Sequence, residues 1–262
     1  MKRECFVIRG GEPLFGKVTL HGAKNAVLPM LAAAVMTPEP VTVCDCPDIT
    51  DVTDMLCVLG ALGVKAERVG RKITVSGSPT LTEIPPELAC AMRSSVFMLG
   101  ALIAECGEVR LFTPGGCRIG ARPLDIHFDG FSRLGVGVEY GEDYVLCTAK
   151  KLRGADIVMK YPSVGATENL LMAAVRAEGV TRLIGAAREP EITSLVRLLR
   201  RMGAQITGEG TPVLTVRGVD SLDGAEITPI SDRIVAGTVM AGVAVCGGRV
   251  ELENAVPPLS GR

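Results

Sequence analysis

Residues 192–203 read Ile192-Thr193-Ser194-Leu195-Val196-Arg197-Leu198-Leu199-Arg200-Arg201-Met202-Gly203. Ile192, Leu195, Val196, Leu199 and Met202 follow the i, i+3, i+4, i+7 spacing that places apolar side chains on one face of a helix. Gly203 follows, at the position where a left-handed residue commonly ends a helix. The pattern occurs twice more upstream. Val52, Met55, Leu56, Leu59 and Leu62 precede Gly63, and Leu124, His127, Phe128, Phe131 and Leu134 precede Gly135. The three glycines lie 72 and 68 residues apart, a repeat longer than those of common solenoids.

The repeat extends on both sides of each stripe. Before it, the sequence predicts a small-residue helix and then a strand, at 26–36 with 41–43, 94–106 with 109–112, and 167–178 with 181–184. After it come two alternating segments, at 64–68 with 72–75, 136–140 with 144–147, and 205–207 with 213–216. Each unit therefore reads helix, strand, helix, strand, strand. A fourth copy opens at Asp232, with a helix over 234–246 that is apolar enough to be buried and a strand over 249–252. Its second helix is expected near residue 260, and the sequence ends at Arg262, so the fourth unit is expected to be incomplete.

Composition narrows the function classes. Of 262 residues, 47% are hydrophobic and 22% charged, which suits a globular chain with a sizeable core. A formal net charge of −1 gives no electrostatic case for nucleic acid or an anionic membrane as partner, so any anion site must come from a local cluster of Lys and Arg. Aromatic residues are 3% and Trp is absent, which argues against base-stacking platforms. Nine cysteines without a regular framework, and an N-terminus Met1-Lys2-Arg3-Glu4 without an apolar core, point to free thiols and a cytoplasmic location. The apolar run 234–246 falls short of the roughly 20 residues needed to span a bilayer.

The clearest chemical candidate is Cys117, in the loop Gly115-Gly116-Cys117-Arg118-Ile119-Gly120-Ala121-Arg122-Pro123. Two guanidinium groups beside a thiol favour the thiolate. Cys57, Cys90, Cys106 and Cys246 fall in apolar helical patterns and are expected to be buried spectators. With His21 and His127 the only histidines and no second ligand pair beside Cys44-x-Cys46, no metal or other cofactor is expected. His127 is a stripe residue, for which partial burial is sufficient explanation. Lys24, Asn25 and Arg93 stand at the starts of first helices, where free N–H groups attract anions. Those cations, with Arg122, converge if the units pack around an axis, and are otherwise solvated surface charges. Asp232 suits a helix N-cap. A glycine-rich phosphate loop of the Walker type is missing.

In their order along the chain, several motifs resemble the enolpyruvyl transferases of peptidoglycan synthesis, the UDP-N-acetylglucosamine 1-carboxyvinyltransferases. They are Gly22-Ala23-Lys24-Asn25-Ala26, Pro114-Gly115-Gly116-Cys117, Ile119-Gly120-Ala121-Arg122-Pro123, Ser163-Val164-Gly165-Ala166-Thr167, Ala187-Arg188-Glu189-Pro190-Glu191 and Asp232-Arg233-Ile234. The resemblance implies an inside-out α/β barrel of repeated βαβαββ units, three to a domain. Residues 21–230 would form one complete three-unit domain, and 1–20 with 231–262 part of a second. It implies transfer of the enolpyruvyl group of phosphoenolpyruvate to the 3′-hydroxyl of UDP-N-acetylglucosamine with release of phosphate, the first committed step of peptidoglycan precursor synthesis. Cys117 would be the general acid and the site of alkylation by fosfomycin. Lys24, Arg93 and Arg122 would cradle phosphate, and Lys24 and Asn25 would hold phosphoenolpyruvate. The sugar nucleotide would meet Arg122, Pro123, Leu124, Asp125 and Ile126 together with Tyr161, Pro162, Ser163 and Val164, with Asp232 and Arg233 as further candidates. Tyr161-Pro162 departs from the residues often seen before Ser163-Val164. A completing C-terminal fragment would be a partner. Two other readings stand beside this one: a non-catalytic UDP-sugar-binding module, and the related transferase that acts on shikimate 3-phosphate.

Overall fold

The computed structural model describes Cys5, Val7 and residues 9–112 and 124–255. The chain opens with β1 (Leu14–Thr19), α1 (Lys24–Ala33, continued by a 3-10 turn Ala34–Met36), β2 (Val41–Val43), α2 (Thr50–Ala61), β3 (Lys65–Val69) and β4 (Lys72–Ser76). Next come β5 (Glu83–Ile84), α3 (Pro86–Ala91), a 3-10 turn Arg93–Phe97 running into α4 (Met98–Cys106), β6 (Glu108–Phe112), α5 (Asp125–Arg133), β7 (Gly137–Tyr140) and β8 (Tyr144–Thr148). After these stand β9 (Asp156–Val158), α6 (Val164–Val175), β10 (Val180–Ile184), α7 (Pro190–Arg201), β11 (Gln205–Thr207) and β12 (Val213–Arg217), and finally β13 (Ala225–Ile227), α8 (Arg233–Cys246) and β14 (Gly248–Glu253).

Among the described residues the strands form three four-stranded sheets and one parallel pair. Each four-stranded sheet has the same plan: one parallel pair and then an antiparallel hairpin. The parallel pairs are β5 with β6, β9 with β10, and β13 with β2. The last is the informative one. Ala225 lies opposite Val41, so the first sheet takes its outer strand from the far side of the third unit, and the three units close into a ring. The parallel pair β1 with β14 uses the same device, with Leu14 opposite Gly248.

The helices lie inside and the sheets outside, the inside-out barrel that the resemblance implied. Helices α1 and α4 carry almost unbroken apolar runs, α6 carries one after Thr167-Glu168-Asn169, and every residue from Ala26 to Ala33, Met98 to Ile103 and Ala166 to Val175 is buried. An all-apolar helix has no face to offer water and so belongs at a centre. Helices α2, α5 and α7 cover that centre with one stripe each. Strands such as β4, β6 and β12 alternate buried and more exposed residues, as half-covered sheets do.

The three stripe helices end alike. Gly63, Gly135 and Gly203 have φ of 80°, 90° and 104°, and Val64, Val136 and Ala204 donate their N–H groups back to the carbonyls of Leu59, Phe131 and Leu199. These are Schellman caps, and only glycine takes the left-handed position without a Cβ penalty.

Four expectations need correction. The segment 94–106 is not one α-helix, because Arg93–Phe97 forms a 3-10 turn before α4. The segment 167–178 is shifted: α6 starts at Val164, where Ser163 caps it by accepting from the Ala166 N–H, and ends at Val175. Helix α8 is not buried. None of its residues is enclosed, and Ile234, Val235, Met240 and Val245 are exposed, because it packs chiefly on the narrow β1–β14 pair. Finally, Cys57, Cys90, Cys106 and Cys246 are exposed. Cys57 faces away from the Val52–Met55–Leu59 stripe, Cys106 and Cys246 are the last residues of α4 and α8, and Cys90 lies next to the last of α3. No helix is long and apolar enough to cross a membrane among the described residues.

Candidate functional site

Closing the ring brings the starts of many helices to one place. A cavity of about 750 Å³ is lined by Lys24 and Asn25 of α1, Thr50, Asp51 and Asp54 of α2, and Arg93 and Ser94 of the 3-10 turn. His127 comes from α5, Val164, Gly165 and Glu168 from α6, Glu191 from α7 and Arg233 from α8, and Leu124, Ser163 and Glu189 are the residues just before α5, α6 and α7. Helix N-termini present unpaired N–H groups and a partial positive charge, so their convergence favours an anionic ligand. Lys24, Arg93 and Arg233 add full charges.

Backbone contacts fix these residues. The Ala23 N–H donates to the Ile230 carbonyl at 2.8 Å, and Asp232 N–H to the His21 carbonyl at 2.8 Å. Asp232 is the expected N-cap, with Oδ1 accepting from the Ile234 and Val235 N–H groups, and its Oδ2 also accepts from the Lys24 N–H at 3.3 Å. The starts of α1 and α8 are thereby tied together. Arg233 then forks onto Glu191, Nε to Oε1 at 2.9 Å and Nη2 to Oε2 at 3.2 Å. The Thr167 hydroxyl accepts from the Ala187 N–H at 3.0 Å and so anchors the turn that carries Glu189 and Glu191. Lys24 Nζ meets Asp51 Oδ1 at 3.3 Å.

The cavity gathers Lys24, Asn25, Arg93, Leu124, Tyr161, Ser163, Val164 and Arg233 from the residues singled out in the sequence. It does not gather all of them. Asp125 faces Lys160 at 3.6 Å instead, Ile126 lines a second cavity of about 550 Å³, and Pro162 is exposed without lining either. Cys117, Arg122 and Pro123 lie outside the described residues. Asp232 acts at the rim, through Lys24 and α8. The groove holds no cluster of three metal-ligating side chains among the described residues.

Two lining residues of a kind that composition does not flag are His127 and Glu168. His127 is 5% exposed and lies against the backbone of Gly165. Burial, and then the Arg93 guanidinium, push its pKa down from 6.5 to about 4. It is a neutral imidazole at neutral pH. Glu168 is 0% exposed. The available signal for it was an acid within Thr167-Glu168-Asn169, a residue type almost never fully buried unless paired, next to the apolar run Leu170–Val175.

The lowered His127 pKa has a sign that can be tested. The unfolded chain binds a proton near 6.5, and the folded chain refuses it until about 4. The stability of a neutral His127 is thus intact above pH 6.5 and is lost as pH falls through that window, by about 3 kcal/mol in all. Urea titrations of wild type and His127→Gln between pH 7 and 4 are expected to differ in slope, wild type losing more. Parallel curves would mean that His127 protonates freely in the fold.

Comparison with known proteins identifies the architecture. A family model described as EPSP synthase (3-phosphoshikimate 1-carboxyvinyltransferase) matches residues 8–259. The chain belongs to the EPSP synthase family. Within it, the chain is 46% identical over 254 residues to UDP-N-acetylglucosamine 1-carboxyvinyltransferase 2 of Carboxydothermus hydrogenoformans, covering 97% of this chain and 61% of that protein. It is 44% identical to UDP-N-acetylglucosamine 1-carboxyvinyltransferase 1 of Caldanaerobacter subterraneus subsp. tengcongensis, covering 96% and 60%. The solved enolpyruvyl transferase NikO from Streptomyces tendae superposes with a TM-score of 0.82 at 27% identity, over 94% of this chain and 59% of that one. An EPSP synthase from Acinetobacter baumannii shares the fold at a TM-score of 0.73 and 21% identity, over 93% of this chain and 56% of its own. The chain spans about three fifths of the length of the EPSP synthase family relatives it matches.

Proposed function

We propose that this chain serves the transfer of the enolpyruvyl group of phosphoenolpyruvate to the 3′-hydroxyl of UDP-N-acetylglucosamine, with release of phosphate, in a cytoplasmic route to peptidoglycan precursors. The observation that carries the reading is the cavity itself, where helix starts converge with Lys24, Arg93 and Arg233. Both substrates are phosphate-bearing anions, which such a site suits. The names of the relatives at 44% and 46% identity support the choice of sugar nucleotide over shikimate 3-phosphate.

In this reading Lys24 and Asn25 hold phosphoenolpyruvate, with Arg93 and Arg122 completing the phosphate cradle. Ser163 and Val164, at the capped start of α6, face the sugar nucleotide beside Leu124 and Tyr161. Asp125 and Ile126 would have to act by shaping α5, since they turn from the cavity. Protonation at C3 by Cys117 builds positive charge at C2, where the 3′-hydroxyl adds as it gives up its proton. Loss of phosphate from C2 and of a proton from C3 of the tetrahedral intermediate then gives the enol ether. Residues 21–230 would act as one ring-closed domain. The rest of the fold would cover the exposed face of α8 and supply the opposite wall of the cleft, from the same or a second polypeptide.

The test is phosphate release by the chain given both substrates, with Cys117→Ala as control. Release that needs both substrates and Cys117 supports the proposal. Turnover with shikimate 3-phosphate and none with UDP-N-acetylglucosamine would overturn it. Binding of the sugar nucleotide with no release would favour the second reading, a UDP-sugar-binding module, which the chain's partial span of its relatives makes concrete. Fosfomycin adducts must be mapped by residue, because Cys57, Cys90, Cys106 and Cys246 are also exposed thiols.

A further inference from the structure

Two segments that leave the ring run side by side. Residues 20–23 lead from β1 into α1, and residues 229–232 lie between β13 and α8. Gly22 and Ser231 form an antiparallel bridge between them. The Ala23 and Asp232 N–H groups donate across it, each at 2.8 Å, to the Ile230 and His21 carbonyls. Beyond this crossing, β1, α8 and β14 pack chiefly on one another. The crossing therefore decides where α1 starts at the cavity, since Lys24 stands just past Gly22 and Ala23. It also decides how the unit of β1, α8 and β14 leaves the ring.

Asp45, which follows β2, grips the crossing twice. Its carbonyl accepts from the Gly22 N–H at 3.1 Å. Its carboxylate Oδ1 lies 3.2 Å from His21 Nδ1 and accepts from Arg71 Nε at 2.7 Å. Arg71 is itself tied down, since its carbonyl accepts from the Cys46 N–H at 2.8 Å. Two features set this contact apart from a chance surface ion pair. Asp45 has φ 50°, a left-handed conformation that aspartate tolerates better than most residues and that persists only where the surrounding structure imposes it. Arg71, which has the geometry to fork onto a carboxylate, gives Asp45 only Nε, and its Nη2 is enclosed without a partner among the described residues. Sharing Oδ1 with His21 replaces the fork. Gly22 completes the fit, because a Cβ there would stand 2.5 Å from the Asp45 carbonyl oxygen and 2.7 Å from Pro229 Cγ.

We propose that Asp45 is a positioning residue for the cavity, whose carbonyl and carboxylate together pin Gly22 and His21 to the ring and so fix the start of α1, with Lys24 and Asn25, and the direction in which α8 carries Arg233. The side chains of His21, Asp45 and Arg71 are 44%, 30% and 38% exposed, so their contacts add little stability. Their effect is geometric. A slip of residues 21 and 22 passes along the chain to Lys24, and across the crossing to Asp232, whose Oδ2 accepts from the Lys24 N–H at 3.3 Å. Both ends of the anion site thus take their place from one residue outside the cavity. The ligand identity rests on the proposed function; the clamp does not.

The His21 ring reports the clamp directly, because the chain has only two histidines and His21→Ala assigns the signal. In long-range proton–nitrogen NMR spectra of the whole chain, His21 Nδ1 is expected to carry a proton in wild type, donated to Asp45. It should do so in Asp45→Asn as well, whose amide oxygen still accepts, and lose that preference in Asp45→Gly. A bare Nδ1 in wild type would end the proposal, as would an Asp45→Gly spectrum like that of wild type. Glycine takes φ 50° freely, so Asp45→Gly removes the carboxylate without forcing the backbone. Calorimetry with phosphoenolpyruvate tests positioning. Asp45→Gly should weaken binding by about fivefold, the upper end of what such contacts supply, and Asp45→Asn should restore it to within about twofold of wild type. His21→Ala should weaken binding too, and the double variant with Asp45→Gly no further than Asp45→Gly alone. A lower melting temperature of Asp45→Gly with wild-type affinity would make Asp45 a purely structural residue and overturn the positioning role. If wild type binds no phosphoenolpyruvate, the proposed function fails while the NMR result still decides the clamp.

Discussion

Gly100→Val is expected to unfold the chain or come close to it. A Cβ at Gly100 would sit 2.3 Å from the carbonyl oxygen of Asn169, and 2.8 Å from that residue's carbonyl carbon and Cα. These are backbone atoms of α6 and cannot rotate away, so α4 and α6 must separate. Their contact lies at the centre of the core, where Met98, Leu99, Leu102, Leu170 and Ala173 are all fully buried. Overpacking usually costs about 1–3 kcal/mol, and more where the backbone must shift. The Gly100 N–H also donates to Asn169 Oδ1 at 2.7 Å, and that bond would break with the helix contact. Against a total stability of about 5–15 kcal/mol, the sum is large. Gly100→Ala isolates the clash, since alanine improves helix propensity by about 1 kcal/mol and should still destabilise by about 2 kcal/mol net. The control is Gly60→Ala on α2, where a Cβ meets nothing within 4 Å and the substitution should stabilise by up to about 1 kcal/mol. Urea melts followed by circular dichroism read all three. A neutral or stabilising Gly100→Ala would mean that α4 and α6 do not approach as closely as described.

The contrast between those glycines shows what a sequence discloses. Gly63, Gly135 and Gly203 were legible because each ends a periodic stripe, and a helix end is a local event. Gly100 was not, since its reason lies on another helix, 69 residues away. Strand pairing divides the same way. The hairpins β3–β4, β7–β8 and β11–β12 were legible from alternation and turns, while β13 has three residues and finds β2 from across the ring. No local pattern encodes that partner. The apolar run of α8 was read as buried because composition reports a demand for burial, not whether the surrounding chain meets it. In the site, Lys24 and Arg93 were found through their positions at helix starts, and Ser163 through the family resemblance alone. His127 was read only as a buried stripe residue and Glu168 was missed, because a polar side chain in a core helix looks like tolerance until its partners and their absence can be counted.

Lys24→Ala should weaken binding of a phosphate-bearing ligand by about tenfold to a hundredfold, and Asp51→Asn should strengthen it. The argument turns on what Lys24 does before ligand arrives. Its ammonium rests 3.3 Å from Asp51 Oδ1, with the two side chains 41% and 39% exposed. A pair that open is worth about 0.2–1 kcal/mol, because water solvates both charges and two long side chains must be held still. A charge-assisted contact to a phosphate at the converged helix starts is worth about 1.5–3 kcal/mol. The ligand therefore takes Lys24 from Asp51 at a net gain, and the ion pair acts as a weak competitor that holds the ammonium at the cavity edge. Removing the competitor with Asp51→Asn leaves Lys24 in place and lifts a like-signed charge from the ligand's path, for a gain of about twofold to fivefold in affinity. Both effects should shrink as salt rises from low to physiological strength, the Asp51→Asn gain more completely since it concerns the more exposed charges. Calorimetry with phosphoenolpyruvate and UDP-N-acetylglucosamine, each alone and together, measures them. If Asp51→Asn instead weakens binding, Asp51 serves the ligand, through a hydrogen bond or by orienting Lys24, and the competition argued from the 3.3 Å contact is wrong. If Lys24→Ala binds as wild type does, the anion lies elsewhere than against α1.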